Sequence, residues 1–191
     1  TCPKSEQNNR INLLKDPKEL HEHNLVVKDI SERLNKLGWL QIEETKIVEF
    51  PTLLHLQTNI VVHLQANSTS HLKTNNQTND HSPQIHVPIS ELVKHLHPTA
   101  ALGVVPRNYG IQWLKELPYQ RQRGLFGSPI IFRISGNEEI AVVAIRNIQW
   151  SRAGCQIGAG CGLVSSSVLD REWTELNAKI NTVLEILGLK K

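Results

Sequence analysis

The 191-residue sequence contains no methionine, position 1 included. Removal of a start residue before Thr1 and a chain that begins in mid-protein both fit that fact. No apolar run is long enough to span a bilayer and no charged-then-apolar leader opens the chain, so neither a membrane partner nor secretion is expected. Aromatic residues make up 5%, too few for a stacking platform, and the net charge of +3 is small and scattered. Nucleic acid is therefore not an expected partner. Cysteine is also scarce. Cys2, Cys155 and Cys161 have no metal-ligand spacing, and an odd count argues against a disulfide framework. The expected compartment is the reducing cytoplasm.

What is present is globular in kind. Apolar residues at 39% and charged residues at 20% suit a folded core, and the length fits one moderate domain or a large part of a bigger one. Leu20, Val27, Ile30, Leu34 and Leu37 recur at helical spacing and predict a helix over 18–37, with Gly38 at its C′ position. Residues 46–50 and 59–64 read as strands. From 66 to 86 the composition turns to Asn, Ser, Thr, Gln and His, a polar surface insert with little to bury. A helix is predicted over 109–116. Strands over 127–134 and 139–150, joined by a turn at Gly136-Asn137, predict a hairpin. A strand over 156–164 follows, and a last helix over 170–187 is expected to bury Trp173, Leu176, Ile180, Leu184 and Leu187 and to end at Gly188. Helices mixed with hairpin-joined strands predict an α+β domain, an antiparallel sheet with packed helices.

The segment from Gly158 to Lys179 carries the most chemistry. Its glycines expose backbone N–H groups that can receive an anion. Glu172 and Glu175, three residues apart on a helix, project on one side and can hold a hard cation such as Mg²⁺, with Lys179 one turn further on. An ordinary acidic first turn and an i,i+4 ion pair between Glu175 and Lys179 account for the same residues. In His21-Glu22-His23, adjacent helical positions diverge by roughly 100° and cannot chelate one zinc ion, which leaves a solvated helix side. Arg146 falls in the apolar run after Val142-Val143-Ala144-Ile145. It is either buried against a partner or turned to solvent. A histidine set as His55 is, in Leu54-His55-Leu56, is more often structural than catalytic.

Taken together, Lys15-Asp16 through Glu22-His23-Asn24-Leu25-Val26-Val27, His55-Leu56-Gln57-Thr58, Leu96-His97-Pro98-Thr99-Ala100-Ala101-Leu102, Val143-Ala144-Ile145-Arg146, Ala159-Gly160-Cys161-Gly162-Leu163-Val164 and Glu172-Trp173-Thr174-Glu175 with Lys179 resemble the chorismate-utilising enzymes. That family includes isochorismate, anthranilate, aminodeoxychorismate and salicylate synthases. The resemblance covers nearly the whole chain apart from the insert. The Leu96–Leu102 motif followed by Pro106-Arg107 looks like the isochorismate synthase branch.

The resemblance implies a partial chorismate-binding domain over 1–191 and a Mg²⁺-dependent conversion of chorismate to isochorismate, feeding menaquinone or siderophore synthesis. Glu22, Glu172 and Glu175 match the family's Mg²⁺ glutamates, and Lys179 would stand beside the ring carboxylate. Arg146 matches the arginine that grips the enolpyruvyl carboxylate, and Gly160, Cys161 and Gly162 the turn that assists it. His55 matches a histidine beside the leaving-group region. Ala101, Leu102 and Phe126 match residues lining the pocket near the ring's C4 oxygen. The family's water-activating lysine and leaving-group glutamate lie upstream of these residues, because Thr1-Cys2-Pro3-Lys4 resembles a segment just after that glutamate. The expectation is a fragment inactive alone, monomeric when complete. A non-catalytic chorismate-binding remnant and a related lyase (salicylate or anthranilate synthase) are the alternatives. Gly158 and Ile131 depart from the pattern, which has an aromatic and a glycine there, and Ile131 is expected to crowd the pocket. Cys161 replaces a small alanine.

Overall fold

The computed structural model describes residues 2–3, 12–50, 53–65, 87–136 and 138–189. The polar insert at 66–86, Asn137, and Thr1 and Lys4 of the opening motif lie outside the described residues. The fold is α+β.

Helix α1, Pro17–Leu34, starts where Asp16 Oδ1 accepts the backbone N–H groups of Lys18 at 2.9 Å and Glu19 at 3.2 Å. Pro17 supplies a first-turn φ that needs no N–H. This cap puts Lys18, Glu19 and Glu22 within the first two turns, facing the far end of the chain. The helix ends at Leu34, before the predicted Leu37, and Gly38 is not its C′ residue. Gly38 opens strand β2 (Gly38–Ile42), where a Cβ would come within 1.9 Å of the His63 carbonyl oxygen. Close approach of two backbones, rather than a left-handed turn, requires glycine there.

Strand β2 pairs antiparallel with β5 (Ile60–Leu64), from Gly38↔Leu64 to Ile42↔Ile60. Strand β3 (Lys46–Glu49) pairs with β4 (Leu53–Gln57), which also takes the two-residue β1 (Cys2–Pro3) on its other edge. Strands β2 and β4 were not foreseen. Buried Leu53 and Leu54 on β4 join Leu13, Leu34, Leu37, Val87 and Val183 in a small core.

After the insert comes helix α2 (Ile89–Leu96), also unforeseen, and then α3 (Arg107–Glu116) and a 3₁₀ turn over Pro118–Gln122. The Leu96–Leu102 motif is pinned from both sides. Arg33 on α1 donates to the carbonyls of His95 and Leu96 at 3.0 Å, and Asp29 Oδ2 accepts from Ala100 N–H at 2.9 Å. Arg107 donates to the carbonyls of His97, at 3.1 Å, and Pro98. Arg107 thus clamps the proline-containing loop before it.

The predicted hairpin is present as β6 (Pro129–Ser135) and β7 (Glu138–Val143), in register from Pro129↔Val143. Its second strand is shorter than predicted. It stops at Val143, and β8 (Ile148–Ser151) pairs separately with β9 (Gly154–Ile157). Arg146 sits in the break with φ 50°, so it does not lie inside a strand. Residues 158–164 are irregular rather than a strand, because the glycines there free the backbone from the ladder. Helix α4, Leu169–Ile186, ends as expected with Gly188 at φ 68°. Its buried positions are Glu172, Thr182 and Val183, whereas Trp173 is 64% exposed. A carboxylate, not the tryptophan, faces inward.

Candidate functional site

Helix α1 and the first half of α4 meet with their acidic faces together. Glu22 comes from one, Glu172 and Glu175 from the other, some 150 residues apart in sequence. The three predicted glutamates do converge, but they converge on a lysine. Lys18 Nζ lies 2.8 Å from Glu22 Oε1, 2.8 Å from Glu172 Oε1, 3.3 Å from Glu19 Oε1 and 3.8 Å from Glu175 Oε2. Lys179 Nζ is 2.7 Å from Glu175 Oε1 and donates to the Gly160 carbonyl at 2.7 Å. Four carboxylates therefore face two ammonium groups.

The electrostatics follow from that geometry. Burial works against the Lys18 charge, but the close carboxylates of Glu172, Glu22 and Glu19 outweigh it and raise the ammonium above its ordinary value. Burial raises the Glu22 carboxyl, with Lys18 only partly offsetting it. Burial pushes Glu172 upward too, yet Lys18, with Ser167 and Cys161, holds it below the usual carboxylate range. Glu172 is only 3% exposed, and both its oxygens, with Glu22 Oε1, lack a well-aligned hydrogen bond. Lys18 approaches two of these oxygens at ion-pair distance without the angle of a hydrogen bond. Among the described residues, no three His, Cys, Asp or Glu side chains stand close enough to hold a metal ion as placed. The donor set nonetheless suits one: acidic oxygens, buried and unsatisfied, around a point already chosen by a cation.

The second half of the site lies at the break between β7 and β8. Arg146 Nη2 is 2.5 Å from His55 Nε2 on β4, and its guanidinium carbon is 5.9 Å from the Phe50 ring centroid. Holding a non-glycine residue at φ 50° costs about 1–2 kcal/mol, which the half-buried, hydrogen-bonded setting sustains. Burial and then the Arg146 charge lower the His55 pKa to about 3, so the ring is neutral. Burial also lowers the Arg146 pKa, while the Glu175 charge acts the other way. That coupling joins the arginine end to the glutamate end. Arg146 Nε is buried without a partner, a donor free for an anion.

The glycine turn borders the glutamate end, where Gly162 faces Glu22 and Gly160 accepts from Lys179. A Cβ on Gly162 would lie 2.9 Å from Glu22 Oε2, and a Cβ on Gly158 only 2.6 Å from Phe126 Cδ2. Phe126 thus fills the space that a side chain at Gly158 would take. Burial and the Glu172 charge raise the Cys161 thiol. Cys155 and Cys161 are free thiols.

The remaining predicted residues are less closely gathered. Leu102 packs toward Gly127 and, with Phe126, lines an open cavity of about 630 Å³ whose other walls include His97, Arg107, Ile111 and Arg123. Of the predicted site residues this cavity takes only Leu102 and Phe126, and the acidic cluster lies outside it. Ala101 is exposed in the turn after Thr99. Ile131 is 40% exposed opposite Ala141 on the hairpin, so the expected crowding does not arise. His23 Nε2 lies 2.7 Å from Thr58 Oγ1, and His21 is exposed. Sequence reasoning missed Lys18 and Glu19. The signal was present, since Lys18-Glu19 and Glu22 share one face of a capped helix, but only the approach of α4 gives it meaning.

A sequence profile described as chorismate binding enzyme matches residues 2–188. The isochorismate synthase EntC of Escherichia coli is 31% identical over 180 residues, which is 93% of this chain and 41% of that protein. The vibriobactin-specific isochorismate synthase of Vibrio cholerae is 27% identical over 183 residues, 95% of this chain and 42% of that one. A crystal structure described as the 2,3-dihydroxybenzoate-specific isochorismate synthase DhbC of Bacillus anthracis superposes with a TM-score of 0.75 at 25% identity, covering 99% of this chain and 47% of its own. The chain spans about two fifths of the length of the curated relatives it matches. With three glutamates, an arginine–histidine pair and a glycine turn in place, and a profile match over nearly its whole length, the chain belongs to the chorismate-binding enzyme family.

Proposed function

We propose that this chain is the chorismate-binding portion of an isochorismate synthase, and that the reaction it serves is Mg²⁺-dependent. The observation that carries the reading is the convergence of Glu22, Glu172 and Glu175, with Arg146 coupled electrostatically to Glu175. Chorismate bears two carboxylates, and the site offers two kinds of partner for them. Arg146 presents a planar guanidinium to the enolpyruvyl carboxylate, backed by His55 and the N–H groups near Gly160 and Gly162. The glutamates and Lys179 receive the ring carboxylate end. Bound Mg²⁺, held by Glu22, Glu172 and Glu175, would supply a Lewis-acidic clamp for that carboxylate.

The reaction adds water at C2 of chorismate, shifts the double bond and releases the C4 hydroxyl as water, a net isomerisation. One proton must leave the attacking water and one must reach the departing hydroxyl. None of the site residues described here is poised as that base. Lys18 and Lys179 are both ion-paired, and neutral His55 has too low a pKa to draw a proton from water. Spanning about two fifths of its relatives' length, the chain binds chorismate weakly, and without a poised base it does not turn it over alone. Free thiols at Cys155 and Cys161 fit a reducing cytoplasm. Among the described residues no helix is long and apolar enough to cross a membrane.

Calorimetric titration of the chain with chorismate tests the reading. Weak binding that requires Mg²⁺ and disappears in Arg146→Ala is expected; no binding with Mg²⁺ present sinks it. Product analysis of any turnover separates the related lyases, which release pyruvate, from an isochorismate synthase, which does not.

A further inference from the structure

Of the two ammonium groups in the acidic cluster, Lys18 is the one that the proposed chemistry does not use. Its ammonium lies 2.8 Å from both Glu22 Oε1 and Glu172 Oε1, oxygens of two of the glutamates assigned above to Mg²⁺. An ammonium and a magnesium ion ask for the same surroundings at different distances, about 2.8 Å for N–H···O and about 2.0–2.1 Å for Mg–O. Two cations bridging one pair of oxygens would stand a few ångströms apart and repel each other strongly.

Two further observations mark Lys18 as the cation that gives way. First, it neutralises its partners without satisfying them, since Glu22 Oε1 and both oxygens of the 3%-exposed Glu172 lack a well-aligned hydrogen bond. Second, Lys179 is committed on two sides, to Glu175 and to the Gly160 carbonyl, at 2.7 Å each. Lys18 stands in the first turn of α1 on a flexible four-carbon stem, with its side chain 15% exposed.

We propose that Lys18 is a displaceable counter-ion of the metal site: its ammonium and a divalent cation are alternative occupants of the Glu22–Glu172 pair, and metal binding swings the lysine out. The inference rests on the Mg²⁺ reading of these glutamates. Lys18 then sets the metal affinity of the site. It shields the clustered carboxylates when Mg²⁺ is scarce and yields when Mg²⁺ is plentiful. Its role is to position the glutamates, not to touch the substrate.

Two measurements on the 191-residue chain test this. Mn²⁺ binding by electron paramagnetic resonance, with Mg²⁺ in competition, compares wild type with Lys18→Met and Lys18→Gln. Acetylation of Lys18 in the wild type, read by mass spectrometry as Mg²⁺ is raised, reports whether the amine leaves the cluster. Both variants should bind metal about tenfold tighter or more, which is about 1.4 kcal/mol. Lys18 acetylation should rise in step with metal occupancy while Lys28, 72% exposed, stays constant. Equal or weaker metal binding by both variants overturns the inference alone. Tighter binding with unchanged Lys18 labelling also overturns it, because the lysine then acts only through its field. If no form binds the metal at millimolar concentration, the Mg²⁺ reading falls and the inference with it. The labelling arm needs only the wild type, so misfolding of a variant does not leave the question open.

Discussion

The two partners of the Lys18–Glu172 ion pair should not cost the same to remove. In Glu172→Gln, Lys18 keeps Glu22 at 2.8 Å and Glu175 at 3.8 Å, while a 3%-exposed carboxylate sheds its desolvation cost. Those effects oppose each other, and the expected change in stability is within about 1 kcal/mol of zero. In Lys18→Met, four carboxylates are left facing one another with only Lys179 to balance them. Stranding one side of a buried pair costs about 3–5 kcal/mol, and the 15% exposure of Lys18 lets water soften this to about 2–3 kcal/mol. Against a total stability of about 5–15 kcal/mol the loss is large. With a urea slope of about 2–3 kcal/mol/M the midpoint should fall by about 1 M. The assay is urea unfolding followed by circular dichroism, in chelator, for wild type, both single variants and the double variant. The double variant should recover part of the Lys18→Met loss, because the most deeply buried unpaired charge is then gone. Equal midpoints for Lys18→Met and Glu172→Gln would refute the argument that the ammonium holds α1 against α4.

Other perturbations read different parts of the site. Gly162→Ala should leave the urea midpoint nearly unchanged, since the new Cβ meets only the flexible end of Glu22 at 2.9 Å, but should weaken Mg²⁺ binding about tenfold by moving that carboxylate; unchanged affinity would remove Glu22 from the metal set. Gly158→Tyr should destabilise by about 1–3 kcal/mol through collision with Phe126, and Phe126→Ala in the same chain should restore a share of the loss; additive losses in the double variant would contradict the packing described. Neutral His55, with its folded pKa near 3 against 6.5 for the ordinary group, contributes stability that is present above pH 6.5 and lost as the pH falls toward 3, because the unfolded chain binds the proton first. Discounted for partial exposure, about 1 kcal/mol should go between pH 7 and pH 5, and His55→Gln should flatten that slope in urea midpoints measured at both values.

Much of the architecture was legible from local signals. The periodicity of α1 and α4, the Gly188 stop and the β6–β7 hairpin all rest on interactions within a few residues of one another, which is why pattern reading finds them. The errors share a different cause. Glycine's local use suggests a helix end at Gly38, while its actual constraint is the His63 carbonyl on a partner strand. Trp173 was placed inward because it is apolar, whereas α4 is turned so that Glu172 faces α1. Arg146 was read into a strand because its neighbours are β-formers, yet the chain breaks at Arg146 to aim the guanidinium at His55. In each case the deciding atom lies far away in the sequence.

Residue types and their order are enough to place the chain in its family and to name the groups at the site. Glutamates, an arginine, a histidine and a glycine turn have chemistry that follows from residue type and order alone. What each group faces follows from the packing of distant elements. The approach of α4 to α1 placed Lys18 among Glu22, Glu172 and Glu175, and the break after β7 set Arg146 against His55. The physical reason is that charge interactions at 3–4 Å depend on which surfaces fold together, and no local pattern encodes that distance.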